Sequence, residues 1–278
     1  MLTRIHVDNF RCLVNFDLKL DRLNLLLGDN GSGKTTVFDA LRRLQAFLSG
    51  DISVDTAFPT SDLTRWQQLD VQHFEVELKI GKDIYLYTLA IEHERDRRLR
   101  RINHEALGMN QNALFDFQEG KAQLYHDDFS LGPTYPFDWS RSGIASLQAR
   151  PDNKLLTRFR QEMAKMIIVS LCPAKMEFES TGEESLLSPL GTNFASWYRY
   201  LSQEHQGNIL DLTQQLRQVL PGFEAFSLRE AGENTRVLKV LFRSGAPTKK
   251  PIPYNFDELS DGQRQLIVLY CLLYGVKG

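Results

Sequence analysis

The sequence is poor in cysteine, has no long apolar run and shows no excess of either charge. Its three cysteines, Cys12, Cys172 and Cys271, lie far apart and form no C-x-x-C pair. This excludes a disulfide-dense scaffold and favours reduced thiols. The longest mostly apolar run, residues 266–276, is too short for a membrane-spanning helix, which needs roughly 20 residues. Because the first residues also lack the features of a signal peptide, we expect a soluble, cytoplasmic protein without a membrane segment.

Acidic and basic side chains nearly balance. Lys and Arg number 33 against 35 Asp and Glu, so the formal net charge is −2 over 278 residues. Any nucleic-acid contact must therefore come from a local patch. Hydrophobic residues make up 42% of the chain and charged residues 24%, which excludes disorder and collagen-like repeats as descriptions of the whole. The sequence has no sustained heptad pattern, so it contains no long coiled coil.

Hydrophobic periodicity separates a strand-rich first part from a more helical second part. Alternating patterns predict antiparallel strands over residues 2–8, 13–20, 71–80, 84–92 and 111–126. An apolar run predicts a buried strand over 23–27, and helical spacing predicts a helix over 35–48. Beyond Pro151 we expect helices over 155–166, 192–219 (with a possible break at Gly207) and 264–273, a strand over 167–171 and a hairpin over 223–243. The chain is therefore expected to form an α/β fold with two lobes, 1–150 and 151–278.

A glycine-rich motif lies between the predicted buried strand and the predicted helix. Residues 28–35 read Gly-Asp-Asn-Gly-Ser-Gly-Lys-Thr and fit G-x-x-x-x-G-K-[ST] at every fixed position. Glycines let backbone N–H groups surround phosphate oxygens, and the following helix directs its positive end at them. Lys34 is expected to bridge the β- and γ-phosphates of ATP, and the Thr35 hydroxyl to bind Mg²⁺. The alternative is a glycine turn that only caps a helix. The expected nucleotide-binding residues are Gly28, Asn30, Gly31, Ser32, Gly33, Lys34, Thr35 and Thr36.

A second motif precedes the last predicted helix. Residues 259–263 read Leu-Ser-Asp-Gly-Gln, in which Ser260 and Gln263 have the spacing of a capping box. The simplest interpretation is a helix cap. The same residues also fit the pattern L-S-x-G-Q, where a small hydroxyl, a glycine amide and a helix N-terminus suit a polyanion.

These features together resemble the head of ABC-type ATPases of the SMC/RecF/OLD-like branch, compact AAA-family ATPases of DNA repair or anti-phage defence. The opening segment ends in Asn9-Phe10-Arg11, the glycine loop contains Asn30, and the second motif is followed by Arg264. The resemblance implies a P-loop NTPase with an ABC-ATPase-like head, whose first lobe is strand-rich and antiparallel and whose second lobe is helical. It implies ATP and Mg²⁺ as cofactors. It further implies a head-to-tail dimer, in which Ser260, Gly262 and Gln263 of one copy cap the γ-phosphate held by the other.

The resemblance predicts two more site residues, and it implies one motif that the sequence does not contain. Arg11 is expected near the nucleotide, or else as a solvated charge at a strand end. Gln148 is a candidate Mg²⁺ ligand and γ-phosphate sensor, in competition with the other glutamines. A Walker B strand ending in Asp-Glu is expected after the signature helix, but the sequence stops at Gly278 before it. We therefore expect a truncated ATPase whose catalytic carboxylates are unknown and which binds nucleotide without efficient hydrolysis.

The strongest basic cluster lies at residues 95–101, with arginines at Arg95, Arg97, Arg98, Arg100 and Arg101. It predicts either a solvated hairpin or contact with a DNA or RNA backbone. The function expected of the full-length protein is an ATP-driven head that gates a DNA-directed process such as repair or anti-phage defence, with a partner effector such as a nuclease. The alternatives are the nucleotide-binding subunit of an ABC transporter and a non-hydrolysing, ATP-gated scaffold.

Overall fold

The computed structural model describes residues 1–95, 99–243 and 250–276. The chain divides into two compact units, Met1–Ile167 and Ile168–Gly278. None of the helices in the described ranges is both long and apolar enough to cross a membrane.

The first unit is built on an antiparallel sheet of eight strands within the described residues, in the order β2-β1-β3-β4-β5-β6-β7-β8. The strands are β1 Leu2–Asp8, β2 Phe16–Lys19, β3 Val71–Ile80, β4 Asp83–Glu94, β5 Leu99–Met109, β6 Asn112–Gln118, β7 Lys121–Tyr125 and β8 Leu131–Pro136. The predicted hairpins are confirmed, because β3 pairs with β4 and β6 with β7 across short glycine-containing turns. Alternation along these strands therefore identified this part of the sheet correctly, whereas β5 and β8 were not predicted.

Helices cover one face of this sheet. They are α1 Lys34–Ser49, α2 Val54–Ala57, α3 Gly143–Ser146 and α4 Lys154–Ala164. The predicted helix over 35–48 is confirmed by α1, whose apolar residues at three- and four-residue spacing are buried. Phe159 of α4 packs on Tyr85 and Tyr87 of β4, with ring centroids 6.0 and 5.8 Å apart. These contacts fix the helical layer on the sheet.

The end of α4 is joined to α1 by one side chain. The Gln45 amide donates to the carbonyl oxygens of Met163 at 2.8 Å and Met166 at 2.7 Å. The structure thus keeps α4 in the first unit, whereas the sequence placed the lobe boundary between residues 150 and 151. The change of pattern at Pro151 marks the turn before α4 and not the division between units.

Two predicted strands do not form. Residues 23–27 pair with no strand in the part of the chain that the structure describes, and Leu23, Leu25 and Leu27 are 92, 79 and 81% exposed. Residues 167–171 are irregular, although Ser170 donates to the Pro189 carbonyl at 2.7 Å. Both predictions were wrong because an apolar run becomes a strand only when a neighbouring strand accepts and donates its backbone hydrogen bonds.

Within its described residues, the second unit combines three α-helices with a small sheet. Its helices are α5 Phe194–Glu204, α6 Gln206–Val219 and α7 Asp261–Tyr270. Its strands are β9 Glu179–Ser180, β10 Phe223–Glu230, β11 Arg236–Phe242 and β12 Ile252–Asn255. Among the described residues β11 lies at the centre, between β10 and β12, and also pairs with β9. The predicted helical region over 192–219 is confirmed, with its break at His205 and not at Gly207. Phe194 and Phe256, with ring centroids 4.6 Å apart, lie in the hydrophobic core of the second unit.

Candidate functional site

The glycine-rich segment forms an open loop at the N-terminus of α1. Gly31 and Gly33 have φ angles of +85° and +93°, a region that favours glycine. Gly33 is the N-cap residue of α1, and no side chain caps the helix. The N–H groups of Lys34 and Thr35 belong to the first helical turn and so have no intrahelical acceptor. The loop therefore presents N–H donors that have no backbone acceptor among the described residues, together with the positive end of a helix, an arrangement suited to an anion.

The side chain of Lys34 extends across this loop. Its ammonium donates to the carbonyl oxygens of Gly28 and Asp29, both at 2.6 Å, and to Ser32 Oγ at 3.3 Å. The hydroxyl-bearing residue Thr35 is exposed at the start of α1. A polyanion in the loop would offer the ammonium charged acceptors in place of neutral carbonyls.

The bend after β1 supports the loop from one side. A Cβ atom on Gly33 would lie 2.9 Å from Cys12 Sγ and 3.3 Å from Leu13 Cδ2. Cys12 Sγ also lies 3.5 Å from Thr36 Oγ1, to which it donates. The structure thus turns Thr36 toward Cys12, while Thr35 is exposed.

Arg11 lies on the side of α1 that carries Thr35. Its Nη1 donates to Asp39 Oδ2 and its Nε to Asp62 Oδ1, both at 2.7 Å. Asp39 follows Thr35 by four residues and therefore shares its face of the helix. Burial alone would raise the pKa of Asp39, but hydrogen bonds from Arg42 and Arg11 outweigh it, and the pKa lies below its ordinary value. Arg11 is consequently an ion-paired residue of this region and not a solvated strand-end charge.

The structure does not bring Gln148 together with Thr35. Gln148 is exposed in the loop after α3 and lines a cleft of about 590 Å³ with Leu48 and Ser49, at the C-terminal end of α1. Thr35 is at the other end of this helix, and a rise of 1.5 Å per residue separates Thr35 from Leu48 by about 20 Å. Gln148 was predicted as a ligand from its position in the chain order. Chain order carries no information on the distance between Gln148 and Thr35.

The second motif caps α7 in the second unit. Ser260 Oγ accepts from the Gln263 N–H at 3.3 Å, and Gln263 Oε1 accepts from the Ser260 N–H at 3.0 Å. The capping box predicted from the sequence is confirmed. Gly262 is exposed, and a Cβ on it would meet no atom within 4 Å. The Arg264 guanidinium donates to the Pro173 carbonyl at 2.6 Å and to the Asp261 carboxylate at 2.5 Å.

The described arginines of the basic cluster are paired with carboxylates. Arg95 contacts Asp70 at 2.5 Å, Arg100 contacts Asp55 at 2.6 Å, and Arg101 contacts Glu92 at 2.7 Å. Arg101 also lies over the Trp139 ring, 5.5 Å from its centroid. Arg97 and Arg98 lie outside the described residues. The positive charge of the cluster is thus balanced locally at three of its five positions.

Sequence reasoning missed the residues that hold Arg11. The spacing of Asp39 after Thr35 was visible in the sequence, but Asp62 lies far from Arg11 along the chain and gave no signal. Behind Asp62, the Gln72 amide donates to the carbonyls of Asn9 at 3.0 Å and Asp62 at 3.3 Å. Over the described ranges, no group of three or more His, Cys, Asp or Glu side chains could hold a metal ion.

Comparisons with known proteins match parts of the chain. The profile of the AAA ATPase domain family matches residues 1–130. Over 41 residues the chain is 51% identical to an OLD nuclease from Thermus scotoductus, and over another match of 41 residues it is 49% identical to the DNA replication and repair protein RecF from Shewanella loihica. The two matches cover 15% and 14% of this chain, and 8% and 11% of the relatives. The chain therefore covers about a tenth of the length of either relative.

Proposed function

We propose that the chain, whose residues 1–130 match the AAA ATPase domain family, is a P-loop ATPase of the SMC/RecF/OLD branch and that it binds ATP with Mg²⁺ in the loop of residues 28–36. The observation that carries the proposal is the loop itself. It has two glycines in left-handed conformation, the unpaired N–H groups at the start of α1, and the Lys34 ammonium across its opening.

Each residue of the loop has a role in the proposed complex. Lys34 exchanges its carbonyl acceptors for the β- and γ-phosphate oxygens, and the backbone N–H groups around Gly31 and Gly33 surround the phosphates. The exposed hydroxyl of Thr35 suits a hard cation such as Mg²⁺, which prefers oxygen ligands. The cation, when bound, neutralises charge on the phosphates. In this proposal, hydrolysis depends on carboxylates that are not among the residues assigned above.

The second motif is proposed to act on ATP held by another copy, in an ABC-like head-to-tail dimer. Ser260, Gly262 and Gln263 lie at an exposed helix N-terminus, and the free space around Gly262 would let a phosphate approach its N–H group closely. The capping box already occupies the Ser260 hydroxyl, so a γ-phosphate would compete with Gln263 for it.

The proposed process is DNA-directed, in repair or anti-phage defence, with a nuclease as the effector. The support is the similarity to proteins named as a nuclease and as a replication and repair protein. DNA phosphates at the basic cluster would have to replace Asp70, Asp55 and Glu92 as partners of its arginines. Binding at this cluster should therefore weaken steeply with salt.

The central experiment measures the affinity for a fluorescent ATP analogue with Mg²⁺. Lys34→Ala removes the charged contact and should weaken binding by about 30- to 100-fold, which corresponds to about 2–3 kcal/mol. Lys19→Ala is the matched control, since Lys19 is an exposed lysine of β2. A wild-type chain that fails to bind, or binding that survives Lys34→Ala, would overturn the proposal.

Two further measurements address the dimer and hydrolysis. Gel filtration with and without ATP should show ATP-dependent self-association that Ser260→Arg abolishes. Association that persists in this variant would contradict the proposed geometry. Release of phosphate from ATP separates a hydrolysing head from a non-hydrolysing scaffold, because only the first gives turnover that Lys34→Ala removes.

A further inference from the structure

The carboxylate of Asp62 joins two arginines. Its Oδ1 accepts from Arg11 Nε at 2.7 Å, and its Oδ2 accepts from Nη1 of Arg43 on α1. The Asp62 backbone carbonyl also accepts from the Arg11 N–H at 2.6 Å. Only 10% of the Asp62 side chain is exposed. A largely buried carboxylate with both oxygens bonded has a fixed orientation, so Asp62 is a rigid support for Arg11.

Arg11 is held through two of its three guanidinium nitrogens. Nε is bound by Asp62 and Nη1 by Asp39, whereas Nη2 has no acceptor among the described residues. The Arg11 side chain is 36% exposed, so it is partly open to solvent. Because the guanidinium is planar and rigid, fixing two of its nitrogens also fixes the direction of the third.

The held guanidinium lies beside the proposed nucleotide site. Asp39, which binds Arg11, lies four residues, about 6 Å along the axis, beyond Thr35 on the same face of α1. The residue after Arg11, Cys12, contacts both Gly33 and Thr36. Through Asp39, Arg11 therefore belongs to the same end of α1 as the loop, where the positive end of the helix favours an anion.

We propose that Asp62 is a positioning residue, which orients Arg11 toward a phosphate group of bound ATP. The inference rests on the proposed function, because it needs ATP in the loop of residues 28–36. Asp62 itself does not touch the nucleotide. It fixes Nε of Arg11 while Asp39 fixes Nη1, which leaves Nη2 as the nitrogen that donates to a phosphate. Arg43 shares the same carboxylate from α1 and offers a matched control for a purely structural role.

The test is a set of double-mutant cycles on the dissociation constant of a fluorescent ATP analogue. Asp62→Asn should weaken binding about tenfold in the wild-type chain and in Arg43→Gln, because an amide cannot accept from both arginines. In Arg11→Gln the same change should alter binding less than about twofold, since the residue through which Asp62 acts is gone. An equal loss in the Arg11→Gln background, or no loss in the wild-type background, would overturn the inference.

Arg11→Lys separates charge from orientation. Lysine keeps the positive charge but lacks the planar guanidinium and its Nε–H group, which donates to Asp62. It should weaken ATP binding about as much as Arg11→Gln, with no further loss when Asp62→Asn is added. Binding as tight as wild type in Arg11→Lys would show that charge alone suffices and would refute positioning. This variant decides the question even if Asp62→Asn does not fold.

Failure of this inference can be told apart from failure of the proposed function. If the wild-type chain does not bind the analogue, or Lys34→Ala binds equally well, the proposed function is wrong. If binding depends on Lys34 but is unchanged by both Asp62→Asn and Arg11→Lys, only the role of Asp62 is wrong. Melting temperatures of all variants identify those that lose affinity through unfolding.

Discussion

Gly33 and Cys12 lie so close together that a Cβ atom on Gly33 would come within 2.9 Å of Cys12 Sγ. The contact ties the bend after β1 to the first residue before α1. The shape of the loop therefore depends on a residue outside the glycine-rich motif.

Gly33→Ala should disrupt the loop more than Gly31→Ala. Both glycines have positive φ, which costs an alanine about 1–2 kcal/mol. A side chain at Gly33 also collides with Cys12 and Leu13, whereas one at Gly31 meets nothing within 4 Å. We expect Gly33→Ala to lower ATP affinity at least about tenfold further than Gly31→Ala, as measured by titration with the fluorescent analogue. Equal losses of ATP affinity in the two variants would show that the backbone strain at positive φ explains the loss without the contact with Cys12.

Alkylation of Cys12 should be slowed by ATP and Mg²⁺. A bound nucleotide fixes the loop against Cys12, and an adduct on Sγ would displace Gly33. Mass spectrometry of iodoacetamide-treated protein gives the rate at each cysteine. Cys172, in the second unit, is the internal control and should be unaffected. Cys271 should stay unmodified, because burial raises the pKa of its thiol and keeps it protonated and inaccessible. Equal protection of Cys12 and Cys172 would instead indicate a general effect on folding.

Ser260→Ala should destabilise the chain through α7. The change removes the hydroxyl that accepts from the Gln263 N–H, and loss of an N-cap lowers the free energy of unfolding by about 1 kcal/mol. Gly262→Ala is the contrasting variant, because alanine favours a helix and finds free space there. Urea unfolding should shift in opposite directions for the two variants. If Gly262→Ala keeps or raises stability yet prevents ATP-dependent association, the glycine serves the ligand and not the fold.

The stability of the chain should fall with acid because of His93. Burial, reinforced by Arg100 and Arg95, lowers the pKa of His93 to about 4. The unfolded chain, with an ordinary histidine pKa, binds a proton that the folded chain does not. The free energy of unfolding should therefore drop by up to about 3 kcal/mol as the pH falls from about 6.5 to about 4.

The variant His93→Gln should flatten this dependence, as measured by urea midpoints between about pH 4.5 and 7.5. Glutamine keeps a polar group opposite Gln72, which binds His93 Nε2 at 3.0 Å. His126→Gln, at a partly exposed histidine, is the control and should retain the wild-type slope. A slope unchanged by His93→Gln would assign the acid sensitivity to other groups.

The parts of the fold that the sequence predicted well depend on local chemistry. The β3–β4 and β6–β7 hairpins follow from alternating apolar residues around short turns. The glycine loop and α1 follow from one contiguous motif, and the α7 cap from two residues three positions apart. In each case, all the residues that determine the element lie within a few positions of one another.

The parts that failed depend on partners elsewhere in the chain. The leucines of residues 23–27 have the composition of a buried strand, but burial requires a neighbouring strand that composition does not specify. Gln148 was placed by chain order and lies at the wrong end of α1. The ion pairs of Arg11 with Asp39 and Asp62 join residues that the fold alone brings together.

The amide of Gln45 connects the far end of α1 to the end of α4. This helix has 16 residues and is therefore about 24 Å long. The glycine loop lies at its first residue, and Gln45 lies near its last turn. If phosphates in the loop tilted α1 by about 5°, its far end would move by about 2 Å. A displacement of that size breaks hydrogen bonds such as those from Gln45 to Met163 and Met166. Phosphate binding at one end of α1 would then change the structure at its other end. Fraying of the last turn of α4 would be the observable sign of phosphate binding in the loop.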